Sequence, residues 1–62
     1  MNLSVLVCIA WMRAHVPGWD AAERSTDSPV VELRADGVCV GSLPSGAVAR
    51  VRCTRAGCAR LP

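Results

Sequence analysis

Apolar residues are concentrated in two parts of the chain, and they follow a different pattern in each. The first part is a run from Leu3 to Met12 that holds no charge and one polar side chain. Such a run is typical of a buried helix, a buried strand or the core of a secretory signal, and periodicity alone does not choose among them. The second part, residues 30–53, alternates apolar and polar residues, as strands with one buried face do.

Two glycine-containing pairs divide the second part into three strands. Asp36-Gly37 favours a two-residue type I′ hairpin loop, and Ser45-Gly46 favours a second one. These loops would place Val40 opposite both Leu33 and Val51. One face of the sheet would then hold Val31, Leu33, Ala35, Val38, Val40, Ala49, Val51 and Cys53. The other face would hold Glu32, Arg34, Cys39, Arg50 and Arg52.

The pattern therefore predicts a small α+β fold with three segments. Residues 1–18 form an apolar N-terminal segment (helix or strand), and residues 19–29 form a short helix near 20–24 with a linker. Asp20 is expected to cap this helix, with Glu23 completing a capping box. Residues 30–62 form a three-stranded antiparallel meander near 30–53 followed by a basic tail. The pattern is also compatible with partial disorder at both ends of the chain.

The N-terminal segment admits three interpretations. As a secretory signal, it would be cleaved after Gly18, where Val16 and Gly18 are small enough for the enzyme that removes signals. As a membrane span it is short, because Arg13 ends it well before the roughly 20 apolar residues that a helix needs to cross a bilayer. As a core element, it would cover the apolar face of the meander, which otherwise lacks a partner.

The composition predicts a thin core that needs cross-links. The chain has 62 residues with no Phe, no Tyr and two Trp, so little apolar area can be buried. Four cysteines allow three disulfide pairings. Cys53 and Cys58 flank a turn-like spacer and are the candidate pair. In the register above, Cys39 and Cys53 point to opposite faces and should not bridge.

Catalytic, cofactor and metal sites are not predicted. No Cys-x-x-Cys pair is present, and the set Cys39, Cys53, Cys58 and His15 matches no common zinc spacing. Cys39 and Cys58 lie near arginines that could activate a thiol. However, a nucleophile also needs a nearby base, and the single histidine is distant in the sequence. We therefore expect a non-enzymatic protein without a cofactor.

Charge is unevenly distributed along the chain. The protein has seven Arg and no Lys, with a net charge of +2. All five acidic residues fall within residues 14–36, whereas residues 47–62 hold four arginines and no acid. The candidate binding face consists of Arg34, Arg50, Arg52 and Arg55.

These features predict a small interaction protein that is exported, or held at a membrane by its N-terminal segment. The alternative is an intracellular β-rich module that binds nucleic acid or an acidic partner through the arginine face. A third alternative is a chain with no stable fold. A protein partner or self-association is favoured over nucleic acid or an anionic membrane surface. The sequence leans toward a secreted or membrane-associated location without defining it.

Overall fold

Helices and strands occupy two separate layers of the protein. The computed structural model describes the backbone of residues 3–62 and the side chains of residues 5–62; Met1 and Asn2, where the predicted N-terminal segment begins, lie outside the described residues. The elements in chain order are α1 (Leu3–His15), α2 (Trp19–Glu23), β1 (Val30–Leu33), β2 (Val38–Ser42), β3 (Val48–Thr54) and β4 (Gly57–Arg60). All four strands form one antiparallel sheet in the order β1-β2-β3-β4.

The apolar N-terminal segment is helical and packs against the sheet. Cys8 and Met12 are one helical turn apart, so they lie on the same side of α1. Both are fully buried and belong to the core cluster. We call the sheet face under the helices the inner face and the opposite face the outer face. The prediction that this segment is a helix or a strand is thus resolved in favour of the helix.

Helix α2 begins differently from the prediction. Its N-cap is Gly18, which has φ 84° and makes no side-chain capping hydrogen bond. Asp20 lies inside the first turn, where its charge favours the helix N-terminus. The expected capping box is therefore wrong: Glu23 forms a salt bridge with Arg13 of α1 instead. Glycine supplies the left-handed backbone conformation that turns the chain from α1 into α2.

The first hairpin is one residue out of the predicted register. Arg34 donates its backbone N–H to Val38 O (2.9 Å), and Gly37 donates to Arg34 O (3.0 Å). The loop therefore contains three residues, Ala35 to Gly37, rather than two. Gly37 has φ 84°, as the last position of a three-residue loop requires. The side chain of Asp36 accepts a hydrogen bond from Val38 N (3.1 Å), which stabilises this longer loop.

The second hairpin repeats the same correction. Leu43 donates to Ala47 O (2.8 Å) and Gly46 donates to Leu43 O (2.9 Å), which closes a three-residue loop over Pro44 to Gly46. Gly46 has φ 98°. Both predicted loops placed the glycine correctly but counted one residue too few.

The two corrections reverse the faces of β2 while leaving those of β1 and β3 as predicted. Cys39 pairs with Leu33 and Val51, so it lies on the inner face instead of the polar face. Val38 and Val40 lie on the outer face, and Ala35 lies in a loop. Cys39 and Cys53 therefore share a face, contrary to the prediction, because each falls in the inner-face alternation of its strand.

Strand β4 lies within the predicted basic tail. Cys53 pairs with Cys58 and Val51 with Arg60, so the chain turns back beside β3 after Thr54. Thr54 Oγ1 accepts a hydrogen bond from Ala56 N (3.2 Å) within the turn. Beyond β4, Leu61 donates its N–H to Arg50 O (2.8 Å). The sheet therefore has one strand more than the predicted meander.

An indole ring packs closely over a glycine between the two layers. Trp19 is almost fully buried, and a Cβ on Gly41 would lie 2.9 Å from each of two ring carbons of Trp19. The same Cβ would lie 3.0 Å from Met12 Cε. Only a residue without a side chain lets the ring approach β2 this closely. Gly41 thus allows the largest buried side chain to fit between the layers.

Candidate interaction surface

The outer face of the sheet carries both valines and arginines. Directly paired residues share a face, so Val30, Ser42 and Val48 form one row across the strands. Glu32, Val40 and Arg50 form the next row, and Val38 and Arg52 follow. Val30 and Val48 are 65% and 56% exposed. No helix packs over these rows in the described part of the chain.

Arginine side chains flank the middle of this face. Val38 and Val40 are 6% and 9% exposed even though helices cover only the other face. Their cross-strand neighbours on β3 are Arg52 and Arg50, whose aliphatic stems can cover apolar surface while the guanidinium stays in water. The outer face is therefore an apolar strip with Arg50 and Arg52 beside it on β3 and Glu32 beside it on β1.

Three of the four predicted binding residues come together on this face. Arg50 and Arg52 lie on it, and Arg34 continues the alternation of Glu32 at the end of β1. All three are exposed. Arg50 donates a hydrogen bond from Nη2 to Pro62 O, next to β4. Arg55 lies instead in the turn between β3 and β4, at the edge of the face.

Acidic side chains are gathered in the other layer. Arg13 Nε lies 2.7 Å from Glu23 Oε1, and Arg13 Nη2 lies 2.9 Å from Glu23 Oε2, so the pair is bidentate. Asp20 lies 3.5 Å from Arg24 within α2. Among the described side chains, Arg34, Arg50, Arg52, Arg55 and Arg60 form no salt bridge. Glu32 is the one acidic residue in the described rows of the outer face.

The Arg13–Glu23 contact shifts the titration of both groups. The hydrogen bond from Arg13, followed by its charge, lowers the pKa of the Glu23 carboxyl. The same hydrogen bond raises the pKa of the Arg13 guanidinium. The pair joins α1 to α2 from the solvent side, so it stabilises the helical layer and not the sheet.

All four cysteines form disulfides, but the two bonds lie in different surroundings. Cys8 of α1 is joined to Cys39 of β2, and each residue is at most 1% exposed. Cys53 is joined to Cys58 across the β3–β4 hairpin, the pair that the spacing singled out. Both of these cysteines are half-buried. The earlier idea that Cys39 is an activated thiol among arginines is wrong, because Cys39 faces the core.

The outer side of α1 is a second apolar surface. Leu6 and Val7 are exposed, as is Ala10 on the same side of the helix. Trp11 is half-buried and stacks on His15, with ring centroids 4.5 Å apart. His15 also places Nδ1 3.0 Å from Trp11 O, which makes it part of the helix end.

The described residues bring together no set of side chains suited to hold a metal. Within residues 5–62, no group of three or more His, Cys, Asp or Glu side chains is close enough. A cleft of about 130 Å³ lies between α1, α2 and β1. Its lining is mostly apolar, from Ile9, Trp19, Pro29 and Val31, with Ser28 and Glu23 as polar groups. Glu23 is already engaged by Arg13.

The register explains which site residues sequence reasoning missed. Val38 and Val40 were predicted to face the core, so the apolar centre of the outer face was overlooked. The signal was present in Asp36, whose side chain favours the three-residue loop, but Asp-Gly suits both loop lengths.

Comparison with other proteins does not assign the chain to a class. It matches no protein-family model, no curated protein and no solved structure. Within residues 3–62, each helix falls short of the length and apolarity that crossing a membrane requires. The function of this chain is therefore inferred from its own surfaces.

Proposed function

We propose that this protein is a small, non-enzymatic interaction protein that is exported and binds an acidic protein surface through its outer sheet face. The single observation that carries the proposal is that face itself. It presents exposed valines near Arg34 and Arg52, which form no salt bridge in the described part of the chain, and near Arg50, whose guanidinium donates to Pro62 O. Exposed apolar area bordered by charge is typical of a recognition surface.

Charge complementarity indicates the kind of partner. An acidic protein segment offers carboxylates that arginine binds in a bidentate manner, and apolar side chains that pack on Val30 and Val48. Single-stranded nucleic acid usually adds base stacking on aromatic side chains. Both tryptophans of the chain belong to the helical layer, so none is available on the outer face. These points favour a protein partner over nucleic acid.

The cysteines support export. Four cysteines joined in two disulfides are typical of small proteins in oxidising compartments, whereas reducing compartments keep thiols free. A core with two tryptophans and no other aromatic residue also benefits from such cross-links. Alkylation of the protein recovered from its host's medium, with and without reduction, tests this part. We expect four labels after reduction and none before it.

A binding titration tests the proposed surface. The probe is a fluorescent peptide of alternating glutamate and valine, measured against the wild type and the Arg34→Gln/Arg52→Gln variant. We expect the variant to bind about three- to tenfold more weakly, and we expect wild-type binding to weaken as salt is added. Arg24→Gln removes a charge from the helical layer and serves as the matched control, with binding unchanged.

Two other probes separate the alternatives. Tighter binding of a single-stranded RNA than of the peptide, with the same loss in the variant, would favour the nucleic-acid module. Sedimentation with phosphatidylcholine vesicles that is abolished by Leu6→Ser/Val7→Ser would favour membrane association through the exposed side of α1. Equal peptide binding by the wild type and the arginine variant would refute the proposed surface.

A further inference from the structure

We propose that the Cys53–Cys58 disulfide is a thiol-exchange site that a small anionic thiol opens while Cys8–Cys39 stays closed. This site lies at the β3–β4 hairpin and is independent of the outer-face binding proposed above. Three features of the described residues carry the inference: the exposure of the bond, its place at the sheet edge, and the charges around it.

Exposure separates the two disulfides. Cys53 and Cys58 are half-buried, and the turn residues between them are all exposed. Cys8 and Cys39 lie between α1 and the sheet, and each is at most 1% exposed. Exchange requires a thiolate to reach a sulfur directly, so access decides which bond reacts first. The hairpin bond is partly exposed to an attacking thiol, whereas the other bond is reached only after the layers separate.

The sheet edge determines which sulfur is attacked. Cys53 lies on β3 between two strands and packs against the core cluster. Cys58 lies on β4, which has a neighbouring strand on one side only. We therefore assign the attack to Cys58 Sγ, with Cys53 as the leaving group.

Positive charge around the hairpin favours the reaction. Arg55 lies in the turn between the two cysteines, and Arg60 follows Cys58 on the same face of β4. Neither arginine is in a salt bridge with a described residue. Asp36 lies in the loop at the same end of the sheet and is engaged by Val38 N. Nearby arginines stabilise a departing thiolate and attract an anionic thiol.

The exchange takes place in two balanced steps. An external thiolate attacks Cys58 Sγ and forms a mixed disulfide, while the Cys53–Cys58 bond breaks and Cys53 leaves as a thiolate. A second external thiolate attacks the external sulfur of that mixed disulfide and expels Cys58 as a thiolate. The external thiol thus supplies two electrons and leaves as its own disulfide, and both cysteines are reduced.

The test uses the oxidised full-length chain and glutathione, a small thiol with a net negative charge. Samples are quenched with iodoacetamide over time and analysed by mass and peptide mapping. We expect a species with two labels, both on Cys53 and Cys58, that forms at least about tenfold faster than labelling of Cys8 and Cys39. Opening of both bonds together, or of Cys8–Cys39 first, would overturn the proposal.

A charge variant tests the role of the arginines. Arg55→Gln/Arg60→Gln should slow opening by glutathione severalfold and opening by 2-mercaptoethanol less, because both reactions lose the stabilisation of the departing thiolate but mainly the more negative thiol loses attraction. Arg24→Gln, which is distant from the hairpin, is the control and should leave both rates unchanged. An equal slowing with both thiols, or no slowing with glutathione, would contradict selection of an anionic thiol.

Discussion

The two faces of the sheet are built from the same alternating strands, yet they differ in what covers them. The inner face receives α1 and α2, a buried disulfide and the Trp19 ring over Gly41. The outer face has arginine side chains as its flanks and leaves Val30 and Val48 exposed. A substitution on the inner face should therefore affect folding, and one on the outer face should affect binding.

The largest effect should come from removing the disulfide that joins the two layers. Cys8→Ala/Cys39→Ala deletes a cross-link between residues 31 positions apart. We expect the free energy of unfolding to fall by about 2–5 kcal/mol, because the unfolded chain regains the entropy of a long loop. Urea denaturation under non-reducing conditions measures it.

The hairpin disulfide provides the matched control. Cys53→Ala/Cys58→Ala opens a loop of sequence separation 5. The loop-closure model gives about 2 kcal/mol for a loop this short, against about 4 kcal/mol for the long one. Equal losses in the two double variants would contradict the idea that the inner-face bond carries more of the stability.

The next effect should come from adding one methyl group on the inner face. Gly41→Ala places a Cβ 2.9 Å from the Trp19 ring, so the ring or the strand must move. We expect a loss of about 1–3 kcal/mol, as is typical of an overpacked core. The midpoint of thermal unfolding, followed by near-ultraviolet circular dichroism of the tryptophans, measures it.

Two variants establish whether the Trp19 contact is the cause. Ser42→Ala introduces the same residue at the adjacent position on the opposite face and should change stability by less than about 0.5 kcal/mol. In a Trp19→Leu background, Gly41→Ala should cost less than it does in the wild type, since the ring atoms are gone. A cost that is the same in both backgrounds would argue against the ring contact.

The smallest effect should come from the exposed pair that joins the helices. Because Arg13 lowers the pKa of Glu23, the stabilisation is present above the unfolded value of 4.5 and is lost as the pH falls through the folded pKa. Glu23→Gln should therefore reduce stability at neutral pH and leave it unchanged near pH 2. Urea titrations at the two pH values test this. If Glu23→Gln still lowers the free energy of unfolding at the lower pH, the loss comes from altered packing and not from the ion pair.

Some of the architecture follows from the local sequence. The alternation over residues 30–53 predicted three antiparallel strands, and all three are present. The positions of Gly37 and Gly46 predicted both turns, because a loop residue with positive φ is most readily glycine. The inner-face residues of β1 and β3 were also assigned correctly, since their own apolar positions determine that choice.

Other parts depended on information that a local pattern does not contain. The register of β2 was wrong because Asp-Gly fits both a two-residue and a three-residue loop, and one residue reverses every side chain of a strand. Strand β4 was missed because Cys58 and Arg60 show no apolar alternation: this edge strand buries little and is held mainly by backbone pairing and a disulfide. Val38 and Val40 were not expected on the outer face for the same reason, because they belong to β2.

Side-chain alternation and glycine conformation are local properties, and they were enough to locate three of the four strands and the two loops between them. The sequence also determined that the core would be thin and that positive charge would gather in residues 47–62. Packing between the layers decides that Leu3–Met12 is helical, that Cys8 bonds to Cys39, and which face of β2 is buried. Those outcomes depend on which surfaces pack together, because the residues that bury one another lie far apart in the chain.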